Sequence, residues 1–387
     1  MNMKIRMPIF ATALGACIAT CSAQTSAVLA TGLNSPIKIT LTAEANLLVS
    51  ESTVQLNTGR ISIVDRRGNR RSLLEGLPSG PAFPGNAPLG PAGLVLDGRT
   101  LYISILEGDA LRAAMPGGPP LPNPNGPGSP IFCSILKVRF SADVDRIQSA
   151  FTLSFDQQFV LADGLEVRLD NADGQTATLE LLADFPDVPL DRREIHGHVT
   201  PYSIALDAAR EFLYVADAGQ NRVLKVNVTT GRSHTLVRFP RVPRVPALPT
   251  ATVTDAVPTG VRYYGAELLV TFLTGAPFAE GQAVVRTVNP VTGEVGPFIS
   301  GLTTATDVLH RVAPTGNQFF VTEYRSILQG GRPGRLIQYD SPQGRVIADQ
   351  LIGPNGMAQD PATGDIFVAE FGGNAPAQGR ITQVRLQ

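Results

Sequence analysis

A five-residue word recurs six times in this chain, and the spacing of its copies leaves few folds open. It reads Leu47-Leu48-Val49-Ser50-Glu51, Leu101-Tyr102-Ile103-Ser104-Ile105 and Leu213-Tyr214-Val215-Ala216-Asp217. It returns as Leu268-Leu269-Val270-Thr271-Phe272, Phe319-Phe320-Val321-Thr322-Glu323 and Ile366-Phe367-Val368-Ala369-Glu370. Apolar and β-branched residues over four or five positions mark a buried strand. A fixed word at intervals of about 50 residues marks a radial repeat fold.

Each word sits in a longer unit of four strands. A strand start precedes it, marked by Pro36, Pro91, Pro201, Pro258 and Pro354, with Asp307 at that place in the fifth unit. A third strand follows, beginning for example at Arg60, Arg222, Arg335 or Arg380. A turn built on Gly68, Gly231, Gly293 or Gly344 then leads to a fourth. Glycine suits such hairpin turns. Four-stranded units repeated radially make an all-β propeller.

Six blades are expected, with seven as the alternative. The interval from Ile103 to Val215 is 112 residues, and Phe159-Val160-Leu161-Ala162-Asp163 in its middle resembles the word. No proline-marked first strand precedes that copy, and Gly164 to Phe185 reads as a hairpin turning at Asn171-Ala172-Asp173-Gly174. An elaborated second blade is the favoured reading. The last unit runs out at Gln387 after its third strand, while Leu29-Ala30-Thr31-Gly32-Leu33 reads like a fourth-strand end. Residues 26–33 are therefore expected to complete the last blade, with Val28, Leu29 and Leu33 packing and an open edge covered.

Composition narrows the partners. The net charge is −1, without a basic run, so nucleic acid is not an expected partner. No tryptophan is present, which excludes Trp-based blades. Residues 1–23 read as a secretory leader: Lys4 and Arg6, a short apolar core, then Cys21-Ser22-Ala23 before Gln24. That core is too short for a permanent membrane helix. The competing reading is a lipobox, Leu14-Gly15-Ala16-Cys17, giving a lipid anchor at Cys17. A secreted or periplasmic monomer, one domain over residues 24–387, is the expectation, with Cys133 its sole cysteine and a buried one.

Loop lengths point to one face. Turns such as Leu96-Asp97-Gly98 and Ala362-Thr363-Gly364 are tight, whereas the segments 78–90, 106–130, 186–200, 239–257, 273–282, 324–333 and 371–378 are long and fall on the opposite face. Binding residues concentrate on loops carried by rigid scaffolds. At that face four words end in an acid: Glu51, Asp217, Glu323 and Glu370. First-strand starts bring Ser35, Tyr202, Thr259, Asp307 and Asn355 towards the axis. Such a ring of oxygens can hold Ca²⁺ or another divalent cation, or supply a general base. Its plainer reading is that the acids accept backbone hydrogen bonds after the second strand. The pair His196 and His198 is read as solvated loop histidines, with a shared metal the alternative, and His234 and His310 as packing residues. No P-loop, GxGxxG, nucleophile elbow or CxxC is present.

The words Leu213 to Val223 (LYVADAGQNRV) resemble an NHL-type repeat. From about residue 28 to 387 the chain is similar to the ScyD/ScyE family of secreted propellers. The carrying motifs are Ala183-Asp184-Phe185-Pro186-Asp187, Pro201-Tyr202-Ser203-Ile204-Ala205, Ala256-Val257-Pro258-Thr259-Gly260 and Ala305-Thr306-Asp307-Val308-Leu309. That resemblance implies a six-bladed extracytoplasmic propeller, some relatives lying in gene clusters for the pigment scytonemin, and no established reaction. Gly353-Pro354-Asn355-Gly356-Met357 with the word ending in Glu370 also looks like gluconolactonase and strictosidine-synthase-like propellers. There the asparagine and an acid contribute to a divalent-metal site, which would map to Asn355; the family's leading Glu-Gly-Pro motif is absent. A binding or scaffold module for a small molecule or protein is the leading expectation. The alternative is a metal-dependent lactone or ester hydrolase at the channel mouth. The leader predicts a mature protein beginning at Gln24; the intact mass of exported material checks this, and a start at diacylated Cys17 would establish the lipobox instead.

Overall fold

The computed structural model describes residues 25–82, 85–113, 120–187, 198–248, 251–324, 332–371 and 376–386. The leader, Cys17 and His196 lie outside these residues. Six sheets follow one another along the chain, antiparallel but for Phe151–Thr152, which pairs parallel to Arg70–Leu77 of the first blade, and they form a six-bladed β-propeller. The third blade is the plainest: Pro201–Leu206, Phe212–Asp217, Arg222–Asn227 and Ser233–Arg238, paired in that order. The first strands of successive blades neighbour one another in a closed cycle, the sixth touching the first, so they surround the axis. The words are the second strands, and Leu48, Val49, Leu213, Val215, Leu268, Val270 and Phe320 are fully or almost fully buried between blades.

The long interval holds an elaborated second blade. Ser134–Phe140 pairs with Thr176–Asp184, to which Val167–Asp170 adds a fifth strand through the hairpin around Asn171. The word-like segment is a helix, Phe155–Ala162, and not a seventh blade. Ser154 and Gln157 cap it reciprocally, the side chain of each accepting from the other's backbone N–H. This Ser-x-x-Gln box starts helices and overrides a strand-like composition. The helix buries Gln158 and Leu161, three residues apart, and exposes Phe155 and Phe159.

Thr25–Leu33 closes the ring as the outer strand of the last blade, antiparallel to Gly379–Arg385, with Ala30 opposite Ile381 and Leu33 opposite Gly379. Leu33 is fully buried and Ala30 nearly so, but Val28 is 48% exposed. Val28 therefore does not pack as expected: a bulge between Val28 and Ala30 changes which residues face inward. The turn glycines explain how blades nest. Gly68 has φ +85°, and a Cβ there would stand 2.0 Å from the Leu29 carbonyl oxygen of the preceding blade. Gly231 meets Leu182 in the same way, at 1.9 Å.

Around the axis a second alternation appears. The third residue of the first strand is Gly93, Gly260 or Gly356 in the even blades and Lys38, Ser203 or Asp307 in the odd ones. A Cβ on Gly356 would lie 2.8 Å from Lys38 Cα, so glycine lets these inner strands approach. Removing residues 25–33 should lower Tm by at least about 5 °C, since Leu33 alone buries a side chain worth roughly 1.5–3 kcal/mol and a whole strand's pairing goes with it. Thermal unfolding of the truncated chain beside the parent checks this; identical melting would refute closure as a stabilising device.

Candidate functional site

The acids that end the words do not stand free at a channel mouth. Each is wholly buried inside its own blade and faces an arginine that begins the third strand. Glu51 accepts from Arg60 Nε at 3.1 Å and Nη2 at 3.0 Å, and lies 3.3 Å from Arg70. Asp217 accepts from Arg222 Nε at 2.7 Å, Glu370 from Arg380 Nε and Nη2 at 2.8 Å each, and Glu323 from Arg335 Nε. The same carboxylates take the backbone N–H of the residue entering the blade: Asn34, Thr200, Thr303 and Ile352. Each group is a clasp tying the inter-blade connection to the second and third strands. Burial pushes the Asp217 carboxyl up, and Arg222 with the two backbone N–H donors only partly offsets it. Where Ile105 and Phe272 replace the acid, the third strand starts at Ser134 and Ala283, with no arginine. Acid and arginine are present together or absent together within one chain, a signal that sequence reading overlooked.

The first-strand residues do converge. Lys38, almost fully buried, donates to the carbonyls of Thr306 (2.8 Å) and Asn355 (3.2 Å) and lies 5.4 Å from the Tyr202 ring centroid. Burial brings its pKa down to about 8 despite the Asp307 charge. Asp307 accepts from Arg262 Nε (2.9 Å) and Nη2 (2.7 Å) and from the Met357 N–H (2.9 Å). Burial would raise this carboxyl, but Arg262 and Lys38 outweigh it and hold it below its ordinary range. Asn355 donates to Tyr202 Oη at 2.6 Å, leaving Asn355 Oδ1 buried without a partner among the described residues. Thr259 donates to the Ala305 carbonyl at 2.9 Å, and Ser35 is buried in a left-handed turn, φ 40°.

The two ends of the channel differ. At the long-loop end, Ile37, Ala92, Leu106 and Phe371 pack together with Tyr202 and Tyr324, drawn from five blades, and so meet across the axis. Burial pushes the Tyr202 phenol up to about 12. At the short-turn end a cavity of about 340 Å³ remains, lined by Lys38, Thr40, Ser203, Arg262, Tyr263 and His310 among others. Off the axis on the long-loop face, a groove of about 300 Å³ lies between blades three and four, walled by Phe239, Val242, Phe272 and Val284.

His198 is not a solvated loop histidine. It is buried, its Nε2 3.4 Å from Glu107 Oε1, while His198 Nδ1, Glu107 Oε2 and Asp187 Oδ1 have no partner among the described residues. Burial alone would lower the imidazole pKa; the Glu107 charge and hydrogen bond, with Asp217 and Asp187 beyond, raise it above its ordinary value. Cys133 is fully buried with φ 53°, and burial together with nearby Asp187 and Glu107 pushes its thiol well up, away from the reactive thiolate. Among the described residues no three His, Cys, Asp or Glu side chains are arranged to hold a metal ion, and none of the helices is long and apolar enough to cross a membrane.

No protein-family model matches the chain, and no curated protein matches it either. Solved structures do. The soluble aldose sugar dehydrogenase of Escherichia coli superposes with a TM-score of 0.53 at 10% identity, over 94% of this chain and 100% of that one. The PQQ-bound aldose sugar dehydrogenase of Streptomyces coelicolor gives 0.49 at 13% identity, over 94% and 98%. A streptogramin B lyase gives 0.46 at 14% identity, over 94% and 97%. At these identities the likeness is one of fold: a six-bladed propeller.

Two measurements probe the buried charges. Arg380→Ala should cost about 3 kcal/mol by stranding the Glu370 carboxylate, and the further change Glu370→Ala should recover part of it in a double-mutant cycle of denaturant melts. For His198 the folded pKa is raised, so its contribution is fully present below the ordinary value of 6.5 and lost as pH rises through the folded value. The stability gap between parent and His198→Asn should therefore be widest below pH 6.5 and shrink above it.

Proposed function

We propose that this chain is an exported propeller of the ScyD/ScyE type that acts as a binding module through its long-loop face rather than as an axial metal hydrolase. The observation that carries this reading is the use of the acids: Glu51, Asp217, Glu323 and Glu370 each hold an arginine and a backbone N–H within one blade. A carboxylate so engaged, and fully buried, has neither the free lone pairs nor the access that a hard cation needs. The apolar packing of Ile37, Leu106 and Phe371 supports the same conclusion, because apolar side chains offer a hard cation no oxygen ligands on that side. Lys38 and Arg262 at the other end are already held by carbonyls and by Asp307, which suits a structural part. Export to the periplasm or beyond rests on the leader at residues 1–23.

The hydrolase reading retains one supporting feature, Asn355 Oδ1, without a partner among the described residues, on the asparagine that the resemblance to lactonase-like propellers would assign to a metal. Melting with millimolar Ca²⁺, Mn²⁺ or Zn²⁺ separates the two. A ligand that binds only the folded state stabilises it by RT ln(1 + [L]/Kd), about 2.7 kcal/mol at a hundredfold excess over Kd. The expected result is no cation-dependent rise in Tm and no turnover of γ- or δ-lactones above background. A rise that Asn355→Ala abolishes, accompanied by turnover, would overturn the binding-module reading.

A further inference from the structure

A groove opens off the axis between blades three and four. Its walls come from the connection between those blades (Phe239, Val242, Ala256) and from the fourth blade's second and third strands (Phe272, Val284). Phe239 and Phe272 meet edge to face, with centroids 4.7 Å apart. The surrounding loops are laced together: Leu273, Thr274 and Gly275 donate in turn to the carbonyls of Val257, Ala256 and Asp255 at 2.9, 3.1 and 2.9 Å. Val257 and Thr274, both β-branched, have φ of 53° and 64° there. β-branched residues rarely adopt this region, and such outliers cluster at ligand clamps.

Two polar groups in this apolar groove lack partners. Arg286 stands half-buried in the third strand, facing the groove beside Val284, and its guanidinium has no hydrogen bond, ion pair or ring contact among the described residues. Thr274 is 2% exposed, lines the groove, and has a buried hydroxyl without a partner among the described residues. An unsatisfied buried hydroxyl and an unpaired cation against aromatic walls are the complement of one kind of ligand. A guanidinium matches a carboxylate in charge and in planar geometry, and a pocket of this size takes a small molecule.

We infer that this groove binds a small carboxylate with an apolar, one- or two-ring body, the acid on Arg286 and Thr274 and the ring against Phe239 and Phe272. The inference rests on the binding-module reading and supplies its ligand class. Naphthalene-1-carboxylate and its near-isostere naphthalene-1-carboxamide serve as probes, titrated calorimetrically into the full-length protein. Expected are one site per chain and a carboxylate at least tenfold tighter than the amide. Arg286→Gln should erase that preference without loss of Tm, and Arg286→Lys should restore part of it. Equal affinity for both probes, or a preference that survives Arg286→Gln, would overturn anion recognition here. No binding of either probe would remove the groove as a site while leaving the module reading to its own test, since only cation-dependent melting and lactone turnover bear on that.

Discussion

The buried pairing of an acid that ends the second strand with an arginine that begins the third is the interaction on which the blade geometry depends. In blades one, three, five and six it fixes the register of those two strands, Glu51 opposite Arg60 and Glu370 opposite Arg380. It also captures the N–H of the residue through which the chain enters the blade, and at Thr200 and Thr303 that donor would otherwise be buried and unsatisfied. In those four blades the clasp thus ties the entry to the first strand to the second and third strands. A buried ion pair is weak evidence for stability, because desolvation offsets the attraction. Its attested use is to specify one arrangement over others, and a repeat fold with near-equivalent strands needs that.

The centre of the ring is organised by size as much as by charge. Glycine at the third position of three first strands allows the alternating strands to carry Lys38, Ser203 and Asp307 inward, and these link across blades. Lys38 reaches carbonyls of blades five and six, Asp307 binds Arg262 of blade four and the Met357 N–H of blade six, and Ser203 Oγ accepts from the Val261 N–H. One cross-ring network therefore joins most of the blades, and apolar side chains pack together on its long-loop side. With the axis occupied in this way, an open apolar surface with unpartnered polar groups survives at the periphery, where two long connections meet over the core between blades three and four.

Much of the architecture was legible in the chain. The recurring word, the proline-marked strand starts and the turn glycines marked the blades, and the terminal segment that reads like a fourth strand marked ring closure. The seven-blade alternative rested on Phe159 to Asp163, which has a strand's composition, but the Ser154–Gln157 capping box makes it helix. The misreadings have local causes. Val28 has a packing residue's chemistry, but a bulge turns it outward. His198 follows a polar loop in sequence, yet the fold buries it against Glu107.

Repetition is a property of sequence, so the order of the blades and the hydrophobic faces of their strands were determined by the chain alone, while six blades rather than seven followed from the helix at Phe155–Ala162. The partner of a polar side chain is not such a property. Whether Glu370 meets a cation, a ligand or Arg380 depends on contacts between residues ten or more positions apart, and whether Asp307 meets Arg262 on contacts between different blades. Only the tertiary structure decided that the acids are held in pairs, that apolar side chains pack together at one end of the axis, and that Arg286 and Thr274 lack partners among the described residues. The physical reason is that burying a charge is tolerable only with a partner, and the partner is chosen by three-dimensional proximity, which no local pattern encodes.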